Sequence, residues 1–118
     1  MRKAYRVKKE REFQAVFHTG DSFANRKFVV YRLEKPGQPH FRVGLSVGKQ
    51  VGNAVNRNEV KRKIRAAVYS IKEEIDPELD FIVIARPSVK GLTYDEVRSN
   101  LVHVLKLAKI IDREEKSK

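Results

Sequence analysis

The sequence has 118 residues, with 26 Lys and Arg against 15 Asp and Glu, a formal net charge of +11, and that balance points to a polyanionic partner. The length suits one domain over residues 1–118 that buries about two thirds of its unfolded surface. No apolar run approaches the roughly 18 residues of a membrane helix, and the absence of cysteine excludes disulfides, thiolate nucleophiles and sulfur-ligated zinc. No secretory pattern precedes the apolar segments, so a reducing, cytoplasmic setting without a membrane partner is the expectation. The excess charge is localised. Residues 1–65 carry 17 basic and 5 acidic side chains and residues 66–118 carry 9 and 10, so the halves stand at +12 and −1. A localised basic surface is suited to phosphate rather than to general solubility.

Met1 to Arg11 holds Arg2, Lys3, Arg6, Lys8, Lys9 and Arg11 among few apolar residues, which predicts a mobile basic arm over residues 1–9. Phe13, Val16 and Phe17 then fall at i, i+3, i+4 and predict a short helix from about Glu10 to His18, stopped by Gly20. Phe23 to Leu33 is rich in aromatic and β-branched residues and predicts one strand, with Phe28 to Tyr31 buried on much of both faces. Glu34 to Pro39 reads as a turn, and the alternation of Phe41, Val43, Leu45 and Val47 as a second strand, so the two strands are expected to form a hairpin. Gly48 and Gly52 bracket a connection containing Lys49.

A helix is predicted from about Asn53 to Glu74, with Val60, Ile64, Ala67, Val68 and Ile71 on its packed side. Arg57, Lys61 and Arg65 stand at i, i+4, i+8 and make a cationic stripe widened by Asn58 and Arg62. Asp76-Pro77 breaks the chain, and Phe81 to Ala85 reads as a central strand ended by Arg86-Pro87. The last helix opens on Thr93 and Glu96, a capping box, and continues through Leu101, Val104, Leu105, Ala108 and Ile111. The tail over residues 112–118 is charged and expected to fray. The resulting order, α-β-β-α-β-α, defines a two-layer α+β sandwich.

Protein-only catalysis is difficult to assemble from these residues. His18, His40 and His103 match no metal-binding spacing, and neither a nucleophile elbow nor a P-loop occurs. Glu73, Glu74, Asp76, Glu78 and Asp80 cluster in sequence and could hold Mg²⁺, but read more simply as the exposed polar end of a helix and its loop. Five cations between residues 57 and 65 repel one another unless a polyanion offsets the cost. Phe13, Phe17, Phe28 and Tyr31 are either core residues or rings on which unpaired bases stack. Their spacing leaves both readings open.

The run Gly44-Leu-Ser-Val-Gly-Lys-Gln-Val-Gly-Asn-Ala-Val-Asn-Arg-Asn-Glu-Val-Lys-Arg-Lys-Ile-Arg65 resembles the bacterial ribonuclease P protein subunit. Phe13 to Phe17, Ala24 to Tyr31 and Ile84 to Pro87 are similar to the same family, so the resemblance spans about residues 4–110. It implies a fold like domain 2 of ribosomal protein S5, with a left-handed β-α-β crossover. It also implies a separate catalytic RNA that uses Mg²⁺ to hydrolyse precursor tRNA and release the 5′ leader, with no catalytic residue and no organic cofactor on the protein. Carried over by position, Arg57, Asn58, Lys61, Arg62 and Arg65 contact the ribonuclease P RNA. Phe13, Phe17 and Tyr31 hold the leader, with Lys49, Arg86 and Lys90 as charged neighbours. Glu59 departs from the pattern, standing where many members have a cation. Gly48 and Gln50 stand where others often have Ser and Lys. The alternative is a general or ribosomal-type RNA-binding protein without a role in cleavage.

Overall fold

The computed structural model describes residues 5–111. Its elements are α1 (Glu10–Thr19), β1 (Asp21–Ala24), β2 (Phe28–Glu34), β3 (Arg42–Val47), α2 (Ala54–Ser70), β4 (Leu79–Ala85) and α3 (Tyr94–Leu107). Single 3₁₀ turns at Lys49–Val51, Lys72–Glu74 and Pro87–Val89 join them.

The four strands form one sheet in the order β1-β2-β4-β3. β4 is antiparallel to β2, with Tyr31 opposite Ile82, and parallel to β3, with Gly44 opposite Ile82. Its central place follows from its sequence. Leu79 to Val83 are all buried, and a strand apolar on both faces is best covered when it has neighbours on both sides. The expected hairpin between the second and third apolar runs is therefore absent, because β4 lies between them. β3, α2 and β4 instead form a parallel crossover unit.

The single strand expected over Phe23 to Leu33 is divided in two. Asn25 Oδ1 accepts the amides of Lys27 at 3.0 Å and Phe28 at 2.8 Å, a side-chain turn that folds β1 back on β2. The hairpin of this sheet is β1-β2, with Phe23 opposite Val30.

α2 and α3 pack side by side on one face. There Phe28, Val30, Phe81, Val83, Ile64, Val68, Leu101 and Leu105 belong to one buried cluster. α3 begins as expected, Thr93 Oγ1 accepting the Glu96 amide at 3.2 Å and Glu96 Oε1 accepting the Thr93 amide at 2.9 Å. α2 stops at Ser70, four residues before the expected end, and Ser70 Oγ donates back to the Ala67 carbonyl at 2.7 Å. The first helix, α1, crosses part of the opposite face, with Val16 fully buried beneath it. Gly20 closes α1 where a Cβ would collide with the carbonyls of Arg32 and Val16.

The basic arm is partly docked. Tyr5 packs against His40 and Phe41, at centroid distances of 4.2 and 5.0 Å. The Val7 amide donates to the Val43 carbonyl at 3.0 Å, and Arg6 bridges Val43 in parallel. β3 is an edge strand with unpaired backbone groups, and Val7, 5% exposed, is apolar enough to cover them. Residues 1–4, and the tail over 112–118 expected to fray, lie outside the described residues.

Candidate nucleic-acid interface

Helix α2 starts at a defined point. Asn53 Oδ1 accepts the Asn56 amide at 3.0 Å, an N-cap that leaves Arg57 and Asn58 in the next turn. Gly52 before it has φ +148, and a Cβ there would stand 2.8 Å from Asn56 Nδ2, so glycine suits both the conformation and the approach of the helix. Arg57, Lys61 and Arg65 are half-buried, whereas Asn58 and Arg62 are exposed. Glu59 sits 4.0 Å from Arg62 in an i,i+3 pair, so the acid at this position neutralises a cation of the same face. Val55, 73% exposed, adds an apolar spot beside these polar groups. Lys63 points elsewhere and donates to the Leu92 carbonyl at 2.7 Å.

The inner side of this stripe reaches the β3 edge. A groove of about 290 Å³ there is lined by Lys61 and Arg65 from α2, Arg6 and Lys8 from the docked arm, and Phe13. Burial, and then the charge of Arg6, lower the affinity of Arg65 for its proton, as expected where like charges converge. Arg6 and Lys8 were not singled out by sequence as binding residues, because a mobile arm has no fixed place. The signal available was Val7, an apolar residue within a basic run.

The other face of the sheet carries the aromatic residues. Phe17 meets Tyr31 edge-on, with centroids 5.0 Å apart at 88°, and Phe13 lies 6.4 Å from Phe17. All three are half-buried in a row where α1 meets β2, the place of the expected cleft. Phe28 is fully buried on the opposite face and belongs to the core. By alternation the cleft floor continues over Val29, Ile84 and Ser46, none fully buried. Val47 pairs with Ala85, so Lys49 and Arg86 follow at the same end of the sheet, roughly 13 Å along β4 from the Tyr31 level. Both are exposed, and an Arg86 Nη1 contact of 3.4 Å to the Asn25 carbonyl leans that side chain toward the β1-β2 turn. Lys90 is exposed one 3₁₀ turn later, after a segment packed against the Lys49–Val51 turn.

Of the carboxylates grouped by sequence, Glu73, Glu74, Asp76 and Glu78 are exposed as expected, and Asp80 is not. Asp80, expected in an exposed acidic cluster, is 1% exposed and held by Arg42, with Nε–Oδ1 at 3.0 Å and Nη2–Oδ2 at 2.6 Å. Arg42 Nη1 also donates to Glu12 Oε2 at 3.0 Å. Sequence reasoning missed this group, because Arg42 and Asp80 become neighbours only through the parallel register of β3 and β4. Among the described residues, no three His, Asp or Glu side chains gather as a metal-binding set.

A basic helix that adjoins a row of half-buried aromatic rings at the β3 edge defines an RNA-binding α+β protein. The family described as Ribonuclease P matches residues 1–109. The ribonuclease P protein component of Enterococcus faecalis (strain ATCC 700802 / V583) is 65% identical over 112 residues, covering 95% of each chain. That of Lactiplantibacillus plantarum is 59% identical over 114 residues, covering 97% of this chain and 100% of the relative. The 2.0 Å structure of Staphylococcus aureus RNase P protein superposes with a TM-score of 0.86 at 46% identity, covering 93% of this chain and 100% of that one. RNase P protein from Thermotoga maritima in complex with 1-(4-fluorophenyl)-2-thiourea gives a TM-score of 0.79 at 30% identity, covering 86% and 97%. The chain belongs to the ribonuclease P protein component family. Its role is that of a component of the ribonuclease P endoribonuclease, in 5′ processing of tRNA, partnered with the ribonuclease P RNA. No helix among the described residues is long and apolar enough to cross a membrane.

Proposed function

We propose that this chain serves cleavage by binding two RNAs at once, the ribonuclease P RNA on α2 and the 5′ leader of precursor tRNA in the aromatic cleft. The supporting observation is spatial. The stripe ends in a groove that Lys61 and Arg65 share with Phe13, and Phe13 leads through Phe17 to Tyr31, so the cationic face and the aromatic face adjoin along the β3 edge and one surface meets both RNAs. Arg57, Asn58, Lys61, Arg62 and Arg65 neutralise and orient phosphates of the catalytic RNA, a sequence-independent contact with a strong salt dependence. The cleft stacks unpaired bases on its rings, and Lys49, Arg86 and Lys90 at its far end hold leader phosphates.

In this reading the chain supplies no catalytic residue, and it assembles in the cytoplasm with its RNA. Mg²⁺ held by the RNA supplies Lewis-acid activation of the water that cleaves the phosphodiester. The protein binds, orients and screens charge, so its effect is greatest where Mg²⁺ is scarce and phosphate repulsion is least shielded.

The test compares reconstituted enzymes carrying wild-type protein or Phe17→Ala. Losing one stacking ring removes about 1–3 kcal/mol per base. Precursor tRNA therefore binds at least about fivefold more weakly while mature tRNA, which has no leader, is unchanged. Equal losses for both tRNAs would count against the cleft as a leader site, and would favour a general RNA-binding protein.

A further inference from the structure

Helix α1 is joined to the sheet by two kinds of contact. The apolar ones, Phe13, Val16 and Phe17, have no direction and by themselves let a ten-residue helix roll or slide. The polar one is directional. Asp80, 1% exposed on central β4, receives both Nε and Nη2 of Arg42 from edge strand β3. The remaining Nη1 reaches Glu12 Oε2 at 3.0 Å in the first turn of α1. Glu12 Oε1 in turn accepts the amides of Lys8 at 3.2 Å and Lys9 at 3.1 Å. A guanidinium forked onto a buried carboxylate cannot swing without leaving that charge unpaired. The line therefore runs rigidly from the centre of the sheet to the residue preceding Phe13.

A second feature sets the same dimension from below. Phe13 lies over Gly44, where a Cβ would stand 2.7 Å from Phe13 Cε1. The glycine is a notch that lets the ring, and the helix bearing it, approach the sheet.

We infer that Glu12, Arg42 and Asp80 are positioning residues of the leader cleft, a brace that fixes the roll and height of α1 so that the rings of Phe13 and Phe17 are set against Tyr31 before RNA arrives. The inference rests on the leader reading of that cleft. Pre-organisation of this kind adds affinity by removing the ordering cost at the moment of binding. It acts on what meets the rings, while Arg57, Asn58 and Arg62 of α2 lie outside the groove that Phe13 and Gly44 line.

The experiment uses the holoenzyme reconstituted with wild-type protein, Glu12→Gln, Phe17→Ala and the double variant. Dissociation constants are measured for precursor tRNA, mature tRNA and the ribonuclease P RNA. Glu12→Gln keeps the side-chain shape and removes its charge. It is expected to weaken precursor tRNA about threefold or more, with the other two constants within about twofold, and to add less than about twofold in the Phe17→Ala background, since coupled residues are not additive. Uniform loss across all three constants, or full additivity with Phe17→Ala, overturns the inference by reducing the brace to general stability. If Phe17→Ala selectively weakens precursor tRNA and Glu12→Gln does not, the brace fails and the leader reading stands. If Phe17→Ala has no selective effect, both fail. Should Glu12→Gln not fold, Gly44→Ala displaces Phe13 without touching a charge and is expected to give the same selective loss. Unchanged selectivity in Gly44→Ala then overturns the inference.

Discussion

Replacing Arg42 by Met keeps most of the apolar stem and deletes the guanidinium. Asp80, 1% exposed, then loses both its hydrogen bonds, 3.0 and 2.6 Å long, and is left as a buried carboxylate with no cation. Breaking one side of a buried pair costs about 3–5 kcal/mol, because the surviving charge keeps its desolvation penalty without its Coulombic return. For a domain of this length each kcal/mol lowers Tm by about 3–6 °C, so the expected drop is about 9–30 °C. In urea, with m of about 1–3 kcal/mol/M, the midpoint falls by at least about 1 M. The paired variant Arg42→Met/Asp80→Leu removes the stranded charge and is expected to recover most of the loss. Its cost at Glu12 is small, since that carboxylate keeps the Lys8 and Lys9 amides. Urea melts of the three proteins at pH 7 decide the matter. A loss below about 1 kcal/mol for Arg42→Met, or a double variant no more stable than the single, would show that Asp80 does not depend on the guanidinium.

The Lys9 amide, and after it the Lys8 amide and the Arg42 guanidinium, hold the Glu12 carboxyl at about 2, against burial, which acts in the other direction. A depressed value in the folded state contributes stability above the ordinary 4.5 that is lost as pH falls from about 4.5 to 2. With a quarter of that side chain exposed, solvent screening reduces the contribution to about 1–2 kcal/mol. Thermal melts between pH 5 and 2 are expected to fall less steeply for Glu12→Gln than for the wild type, and parallel curves would contradict this origin. Asn53→Ala removes the N-cap of α2 and is expected to cost about 1 kcal/mol in chemical denaturation, fraying the turn that bears Arg57 and Asn58. A change below about 0.3 kcal/mol would show the cap to be replaceable by solvent. Arg65→Ala is expected to reduce the slope of log K against log salt for ribonuclease P RNA by about 0.7–0.9, the release of one phosphate contact, whereas an unchanged slope removes Arg65 from the interface.

Features written in local chemistry were legible in the sequence. The capping box at Thr93 and Glu96 opens α3, Asn53 opens α2, and Gly20 closes α1. The unbroken apolar run of β4 marks the central strand. The cationic stripe follows from helical spacing alone, whereas spacing left the aromatics open, and the structure puts Phe28 in the core and Tyr31 half-buried against Phe17 on the other face. What depends on distant pairing was not legible. Nothing near Leu33 or Phe41 shows that β4 will separate their strands, since that is decided by which neighbour best covers β4. The turn at Asn25 is hidden in a β-rich run, and one asparagine side chain satisfying two amides outweighs the strand preference around it. Arg42 reads as a polar-face residue of an edge strand, and Asp80 as the last of an acidic loop. Their union appears only once the register is known. The docking of Tyr5 to Val7 has the same character, because an arm is mobile only until an open strand edge is available.

The most direct measurement of the central claim is cleavage of a 5′-leader precursor tRNA at low Mg²⁺ by a bacterial ribonuclease P RNA, with and without this protein, beside the protein alone. The mixture is expected to release the leader, with the protein alone inactive and the RNA alone slow. Cleavage by the protein alone would contradict that claim by placing the chemistry in the chain, and a mixture no faster than the RNA would contradict it by removing the protein from the reaction.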